Sequence, residues 1–359
     1  MSGARPAGGA AESASAPGAP AGQAGALDPV AVTGWIASLG IGARPPLAFA
    51  RIGDGRSNLI FGVTDAAGRR WVLRRPPLGR LLPSAHDVAR EHRVLAALEP
   101  TAVPTPAVLG LCEDPAVSDV PLLLLEHVDG IVLDRPQVAE AAALSWRGRC
   151  GPALVRALAA VHAVDLEATG LDGLAGRRPY AQRQLRRWRE QWARSAVHDA
   201  PLVEGLAERL AAAIPPQREV TLVHGDVHLR NAILDPAAAS VRALLDWELC
   251  TLGDPLADVG TLLAYWPQAG DDPQVPRGVS TLPGFSARAE LLEAYGATSG
   301  RDVAAVPFWH ALALWKVAVI LEGVARRAME DARNPGGDGT VVVDRLLRRA
   351  DQVARAAGI

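Results

Sequence analysis

Lysine is nearly missing from this 359-residue chain: of its 37 basic residues, all but Lys316 are arginine. A site that would ordinarily hold a lysine must therefore find it at position 316 or use arginine. Cysteine is scarce as well. Cys112, Cys150 and Cys250 are far apart, odd in number and in no CxxC pair. That pattern excludes a disulfide scaffold and a structural zinc site, and leaves buried free thiols in a reducing, cytoplasmic setting as the expectation. Net charge is close to zero, at -2, so no global field points to nucleic acid or an anionic membrane as partner. There is no run of about 18 uncharged apolar residues of the kind a membrane span needs. The best candidate, residues 310–329, contains Lys316, Glu322, Arg326 and Arg327 and reads as a long core helix. Residues 1–26 are mostly Ala, Gly, Pro and Ser, without a basic start leading into an apolar core. They read as a disordered tail rather than a signal peptide.

What remains is an ordinary globular composition, 49% hydrophobic and 21% charged, long enough for two lobes. Asp28 and Pro29 open a helix toward Leu39. Strand patterns follow at residues 48–52, 59–63 and 70–74, the first two joined by a Gly-rich turn. The apolar face of Val88, Val94, Leu95 and Leu98 predicts a helix over 84–98. Residues 103–110 read as extended and broken by proline, and Pro121 to His127 (PLLLLEH) as a buried strand. Beyond residue 127 the patterns are helical, at 153–164, 182–194, 201–214, 287–295, 307–329 and 344–357. One strand pair interrupts them, at 232–234 and 241–245. The expected class is α+β and bilobal: a tail over 1–26, a small β-rich lobe over 27–126 and a larger, mainly helical lobe over 127–359.

The most informative segment is LVHGDVHLRNAILDPAAASVRALLDWELCTLGDPLAD, from Leu222 to Asp258. Asp226 precedes Asn231 by five positions, and a predicted hairpin then returns the chain to Asp246. A loop followed by a hairpin can focus three oxygen-bearing side chains on one point. Magnesium favours such hard ligands while keeping waters and phosphates in its shell. Transfer of a phosphoryl group from a magnesium nucleotide to a hydroxyl needs this set: a carboxylate to orient the hydroxyl and take its proton, and oxygens to hold the metal. Asp226 and Asp246 each adjoin an apolar strand, where an unpaired carboxylate is costly. His224 alone reads as a hydrogen-bonded structural histidine, and Asp254 as a helix cap.

On these residues, together with IGDGRSN at 52–58 and WVLR at 71–74, the chain resembles the aminoglycoside phosphotransferase (APH) and choline kinase-like family. The resemblance spans roughly Asp28 to Ala357. It implies a protein-kinase-like fold that phosphorylates small molecules with ATP and Mg2+. It implies Asp226 as catalytic base, Asn231 and Asp246 as metal ligands, His224 as a shaper of the catalytic loop and Asp258 as its brace. Trp247 and Glu248 stand where protein kinases place Phe-Gly, which argues against a protein substrate. Gly55, Ser57 and Asn58 would cover the phosphates with backbone amides, and Glu126 and Val128 would offer backbone groups to the adenine. The family's usual strand lysine is replaced by Arg74, with Glu91 as its expected partner. Arginine keeps its charge and can bind phosphate through two N–H groups.

Arg177, Arg178, Arg183, Arg186, Arg187, Arg189 and Arg194 interleave with Trp188 and Trp192 in the helical half. As a plain reading this is a solvated helix face. As a functional one, Arg183, Arg187, Trp188 and Glu248 would receive the acceptor, and guanidinium groups favour an anionic one. The VLRRPP strand resembles the subgroup of kinase domains associated with acyl-CoA dehydrogenases, which suggests a hydroxyacyl-CoA or a similar metabolite. Two other readings exist. Arg74 motivates a kinase-like binding module without turnover, and His224, Asp226, His228 and Asp246 taken alone resemble the ligands of a di-metal hydrolase.

Overall fold

The computed structural model describes residues 27–52, 58–76, 87–176, 179–271, 278–330 and 339–359. The Gly-rich turn at 53–57, Arg177 and Arg178 therefore lie outside the described residues. The first lobe is an antiparallel sheet of five strands in the order β1-β2-β3-β5-β4. These are β1 (Ala48–Arg51), β2 (Leu59–Thr64), β3 (Arg70–Arg75), β4 (Val108–Cys112) and β5 (Leu122–Glu126). Helices α1 (Pro29–Ser38) and α2 (Val88–Leu98) accompany it. Asp28 caps α1 by accepting from the amides of Val30 and Ala31.

Alternation along the strands assigns residues to the two sheet faces. Leu59, Phe61, Val63, Trp71, Leu73, Leu122 and Leu124 form one core with Val32 and Ile36 of α1. Leu123 and Leu125 face the other way and join Val88, Val94, Leu95 and Leu98 of α2 in a core continuous with the second lobe. The unbroken Leu122–Leu125 run is thus explained: the strand is covered on both faces. Fully burying each leucine contributes about 1.5–3 kcal/mol. The same alternation separates two neighbouring arginines. Arg74 turns toward α2, whereas Arg75 meets Asp119 at 3.3 Å.

The second lobe holds α3 (Pro136–Glu140), α4 (Leu144–His162), α5 (Tyr180–Ser195), α6 (Leu202–Ala212), α7 (Pro255–Ala264), α8 (Arg288–Ser299), α9 (Val306–Glu330) and α10 (Gly339–Ala356). Helix α9 packs against α5, α6, α7 and α10. It is long and apolar enough to cross a membrane on composition alone, yet 78% of its apolar window is buried inside the protein. Helix α4 starts nine residues before the sequence pattern suggests. Pro152 removes the donor for one carbonyl, but Trp146, Cys150 and Leu154 pack on both sides of it and carry the helix through. Helix α2 runs from Val88 behind an Asp87 cap, and residues 84–86 of the expected helix lie outside the described residues.

Among the described residues two small ladders, not one, interrupt the helices. The expected hairpin pairs β7 (Ala232–Leu234) with β8 (Val241–Leu244). A second ladder pairs β6 (Thr221–Val223) with β9 (Thr251–Gly253). Each of its strands has three residues, too short to show a period in the sequence. Their chain order is β6, loop, β7, β8, loop, β9, so the 224–231 and 245–250 loops leave the two ladders side by side.

Candidate active site

The first loop begins where β6 ends. Asp258, near the start of α7, accepts from His224 N at 2.6 Å and Gly225 N at 2.8 Å. His162 Nε2 lies 3.2 Å from the same carboxylate, and its Nδ1 lies 2.8 Å from the Tyr295 hydroxyl. Burial alone would raise the Asp258 carboxyl, but the His162 hydrogen bond and the nearby histidines hold it below its ordinary range. Asp254, four residues earlier, accepts from Leu256 N at 2.9 Å as the cap of α7.

Gly225 is confined to glycine on two counts. Its φ is +85°, and an added Cβ would lie 2.7 Å from Leu249 O. Its carbonyl receives the Lys316 ammonium at 2.7 Å. His224 Nδ1 accepts from Asp226 N at 3.3 Å, which leaves Nε2–H to donate to Leu245 O at 3.0 Å. Burial keeps this imidazole neutral by lowering its pKa. The imidazole thus braces its own loop through Nδ1 and joins it to the second loop through Nε2.

Asp226 is well supplied with donors. Asn231 Nδ2 donates to its carbonyl at 2.9 Å and to Oδ2 at 3.0 Å. His228 Nε2 stands 3.5 Å from Oδ2. His228 is itself oriented by accepting from Arg230 N and by an edge contact with Tyr265, centroids 4.5 Å apart. Burial pushes Asp226 upward, but the His228 hydrogen bond and charge, with Lys316, bring it down to about 2. It is a carboxylate at neutral pH.

The second loop returns Asp246 to this point. Leu245 N donates to Asn231 O at 2.8 Å, which seats Asp246 beside Asn231. Asp246 has left-handed backbone, φ +65° and ψ 70°, a conformation that aspartate tolerates better than most residues and that costs about 1 kcal/mol. Arg74 of β3 reaches Glu91 Oε1 of α2 at 2.8 Å and Asp246 Oδ1 at 3.4 Å. Arg90 of α2 donates to Cys250 O at 2.5 Å. Strand β3 and helix α2 are thus tied directly to the second loop. Burial and neighbouring Glu248 raise the Asp246 carboxyl despite Arg74. Burial raises Glu91 to about 7, with Arg74 opposing. One guanidinium here serves three carboxylates: Glu91, Asp246 and Glu248.

The other expected residues are placed as follows. Gly55 and Ser57 lie outside the described residues. Asn58 is buried at the head of β2, and its Oδ1 has no hydrogen-bond partner among the described residues. Glu126 closes β5, and Glu126 N donates to Ala107 O; Val128 follows in the connection to the second lobe. The four acceptor candidates fall in two places. Arg183, Arg187 and Trp188 lie on α5, while Glu248 sits beside Asp246. Arg183 donates to Gly176 O and Leu252 O. Trp188 is buried between Arg187, 5.0 Å from its ring centroid, and Lys316, 5.7 Å away.

Sequence reasoning missed His162, Tyr265, Arg90 and the use made of Lys316. Among the described residues, no group of three or more His, Cys, Asp and Glu side chains is arranged to hold a metal. With His224 engaged at both nitrogens, the ligand set of a di-metal hydrolase is not assembled.

A sequence profile of the phosphotransferase enzyme family (APH) matches residues 48–331. The chain belongs to the APH phosphotransferase family. It is a phosphotransferase acting on an alcohol group of small molecules, with the bilobal fold of that family. Among curated relatives, this APH chain is 35% identical over 303 residues to acyl-CoA dehydrogenase family member 10 of Mus musculus, covering 81% of the chain and 27% of the relative. It is 34% identical over 324 residues to the probable acyl-CoA dehydrogenase IBR3 of Arabidopsis thaliana, covering 83% and 39%. The chain thus spans between a quarter and two fifths of these relatives' length. Among solved structures, one from Ralstonia eutropha, provisionally described as an aminoglycoside phosphotransferase, shares 28% identity. Its TM-score is 0.77, covering 92% of this chain and 99% of the other. The ADP and hygromycin B complex of a mutant APH(4)-Ia shares the fold at 15% identity, with a TM-score of 0.58 over 90% and 97% of the two chains.

Proposed function

We propose that this APH phosphotransferase transfers the γ-phosphoryl group of ATP to a hydroxyl of an anionic metabolite of the hydroxyacyl-CoA type. The observation that carries the chemistry is the meeting of Asp226, Asn231 and Asp246 at the mouths of two ladders, joined through Asn231. Asp226, ionised at neutral pH, orients the acceptor hydroxyl and accepts its proton as the oxygen–phosphorus bond forms. Its hydrogen bonds from Asn231 and His228 fix the direction of the accepting oxygen.

Asn231 and Asp246 would hold Mg2+. The donor set fits: with the Asn231 amide nitrogen on Asp226, its oxygen is the atom left to offer, and Asp246 supplies a hard carboxylate in a locally acidic setting. When bound, the ion neutralises charge on the transferring phosphoryl group. Arg74, held by Glu91, is the clamp for the nucleotide phosphates in place of a lysine. Backbone groups at Glu126 and Val128 take the adenine, and those at Gly55, Ser57 and Asn58 cover the phosphates. His224 and Asp258 hold the loop and touch no substrate.

The acceptor class rests on two supports. One is the arginine-rich face of α5, where Arg187 is exposed over Trp188 while Arg183 is spent on carbonyls. The other is kinship with proteins named acyl-CoA dehydrogenases. Aminoglycosides are polycations and suit such a face poorly. ADP release measured across hydroxyacyl-CoA thioesters and aminoglycosides tests the reading. Turnover is expected on a thioester, and faster turnover on an aminoglycoside would remove the acceptor assignment. Magnesium-dependent ADP formation that disappears in Asp226→Ala separates an active enzyme from a binding module.

A further inference from the structure

The single lysine of the chain stands behind the catalytic loop. Lys316 lies in the interior of α9, is only 8% exposed, and is flanked along that helix by buried apolar residues. Among the described residues it makes no ion pair. Its ammonium meets the Gly225 carbonyl at 2.7 Å and the Trp188 indole at 5.7 Å. Burying an ammonium in this way is costly in desolvation. A methionine at 316 would fill the same space without that cost, and would leave the Gly225 carbonyl without its donor.

Three hydrogen-bonding groups surround the bond that leads into Asp226. Gly225 N–H is held by Asp258, Gly225 C=O by Lys316 and Asp226 N–H by His224. All three partners are side chains, so no ladder or helix sets this peptide. Gly225, lacking a Cβ, contributes little restraint of its own. A rotation of the 225–226 peptide would swing the Asp226 carboxylate away from the acceptor hydroxyl. We infer that Lys316 is a positioning residue: it fixes the Gly225–Asp226 peptide from behind and links it, through Trp188, to helix α5. The inference rests on the reading of Asp226 as the base.

The test is the steady-state rate of ADP release from MgATP, with hydroxybutyryl-CoA as acceptor, or water if that thioester is inert. Lys316→Met is expected to lower kcat about 10- to 100-fold, the scale of loss when a reacting group is misplaced by about 1 Å. The KM for ATP should stay within about threefold, because Arg74 and Asp246 stand on other elements and only Asn231 is tied to Asp226. Lys316→Arg, which keeps a donor, should recover kcat to within about tenfold of the parent. A folded Lys316→Met with unchanged kcat overturns the inference, as does a loss expressed in the KM for ATP alone. If Lys316→Met does not fold, the wild-type protein decides. Lysine labelled with 15N at Nζ yields one side-chain resonance, expected to be protected from solvent exchange and to move when MgADP binds. A rapidly exchanging, unmoved resonance overturns the inference. Asp226→Ala is the control: if that variant keeps its activity, the base assignment fails first, whereas an inactive Asp226→Ala beside a fully active Lys316→Met defeats only the role of Lys316.

Discussion

Two pairs of carboxylates, Asp258 and Glu91 buried and Asp226 and Asp246 half-buried, line the candidate site and are treated oppositely by it. Asp226 and Asp258, on the first loop and its brace, are held below the ordinary carboxylate range. Asp246 and Glu91, on the second loop and on α2, are pushed above it. Burial raises all four, so burial does not decide the outcome. Donor supply does. Asp258 receives two backbone amides and His162, and Asp226 receives Asn231 with His228 beside it. Asp246 and Glu91 share one guanidinium and stand beside a third carboxylate, Glu248. The first pair is electrostatically complete within the chain. The second has negative charge in surplus, which suits a site that takes a cation.

The largest test of this contrast is Asp226→Ala. Losing a general base is expected to lower kcat by about 10²- to 10⁴-fold, read as ADP release at saturating MgATP. Because the Asp226 pKa is depressed to about 2, its contribution should be intact above the ordinary aspartate value and fade only as pH falls toward 2. An acid limb assigned to Asp226 near pH 5 would break the contrast. Next in size is Asp258→Ala, which leaves two buried amides and His162 without their acceptor. We expect a stability loss of about 3–5 kcal/mol in urea unfolding; a loss under about 1 kcal/mol would show that the loop does not depend on it.

Arg74→Met removes the only guanidinium from the undersupplied pair. It should raise the KM for ATP about tenfold or more, and a KM equal to the parent's would remove Arg74 from the phosphate site. The smallest effect concerns Asp254, another buried carboxylate with few donors, raised to about 6. A carboxyl whose folded pKa lies above its unfolded one costs stability as pH rises from the unfolded pKa through the folded one. Asp254→Asn keeps a capping side chain. It should therefore be neutral near pH 4 and stabilise by about 1–2 kcal/mol at pH 7–8, as equal melting temperatures at pH 4 and a gain at pH 8 would show.

Much of the candidate site was legible before folding because its residues lie close in sequence. Asp226, Asn231 and Asp246 fall within one segment, and the hairpin between them has a readable pattern. Glu91 was also accessible, through the family resemblance, which implies a glutamate on the helix after β3 as partner to the strand cation. His162, Tyr265 and Lys316 were not. They come from α4, the end of α7 and the middle of α9, and each stands among apolar neighbours in the chain. Nothing local distinguishes such a residue from an ordinary core position. The β6–β9 ladder was hidden for a related reason: three-residue strands carry no period, and their pairing depends on loops already being in place.

The amino-acid order by itself determined the bilobal class, the loop that carries Asp226 and Asn231, the return to Asp246, and the use of arginine on β3. These follow from periodicity, turn chemistry and the near-absence of lysine, all properties of short stretches. Only the tertiary structure decided which carboxylates are pushed above or below their ordinary range, which arginines of α5 are spent on carbonyls, and that the single lysine clamps Gly225. Those outcomes depend on which groups from distant helices approach within hydrogen-bonding range out of water, and that is set by packing rather than by neighbours in the chain.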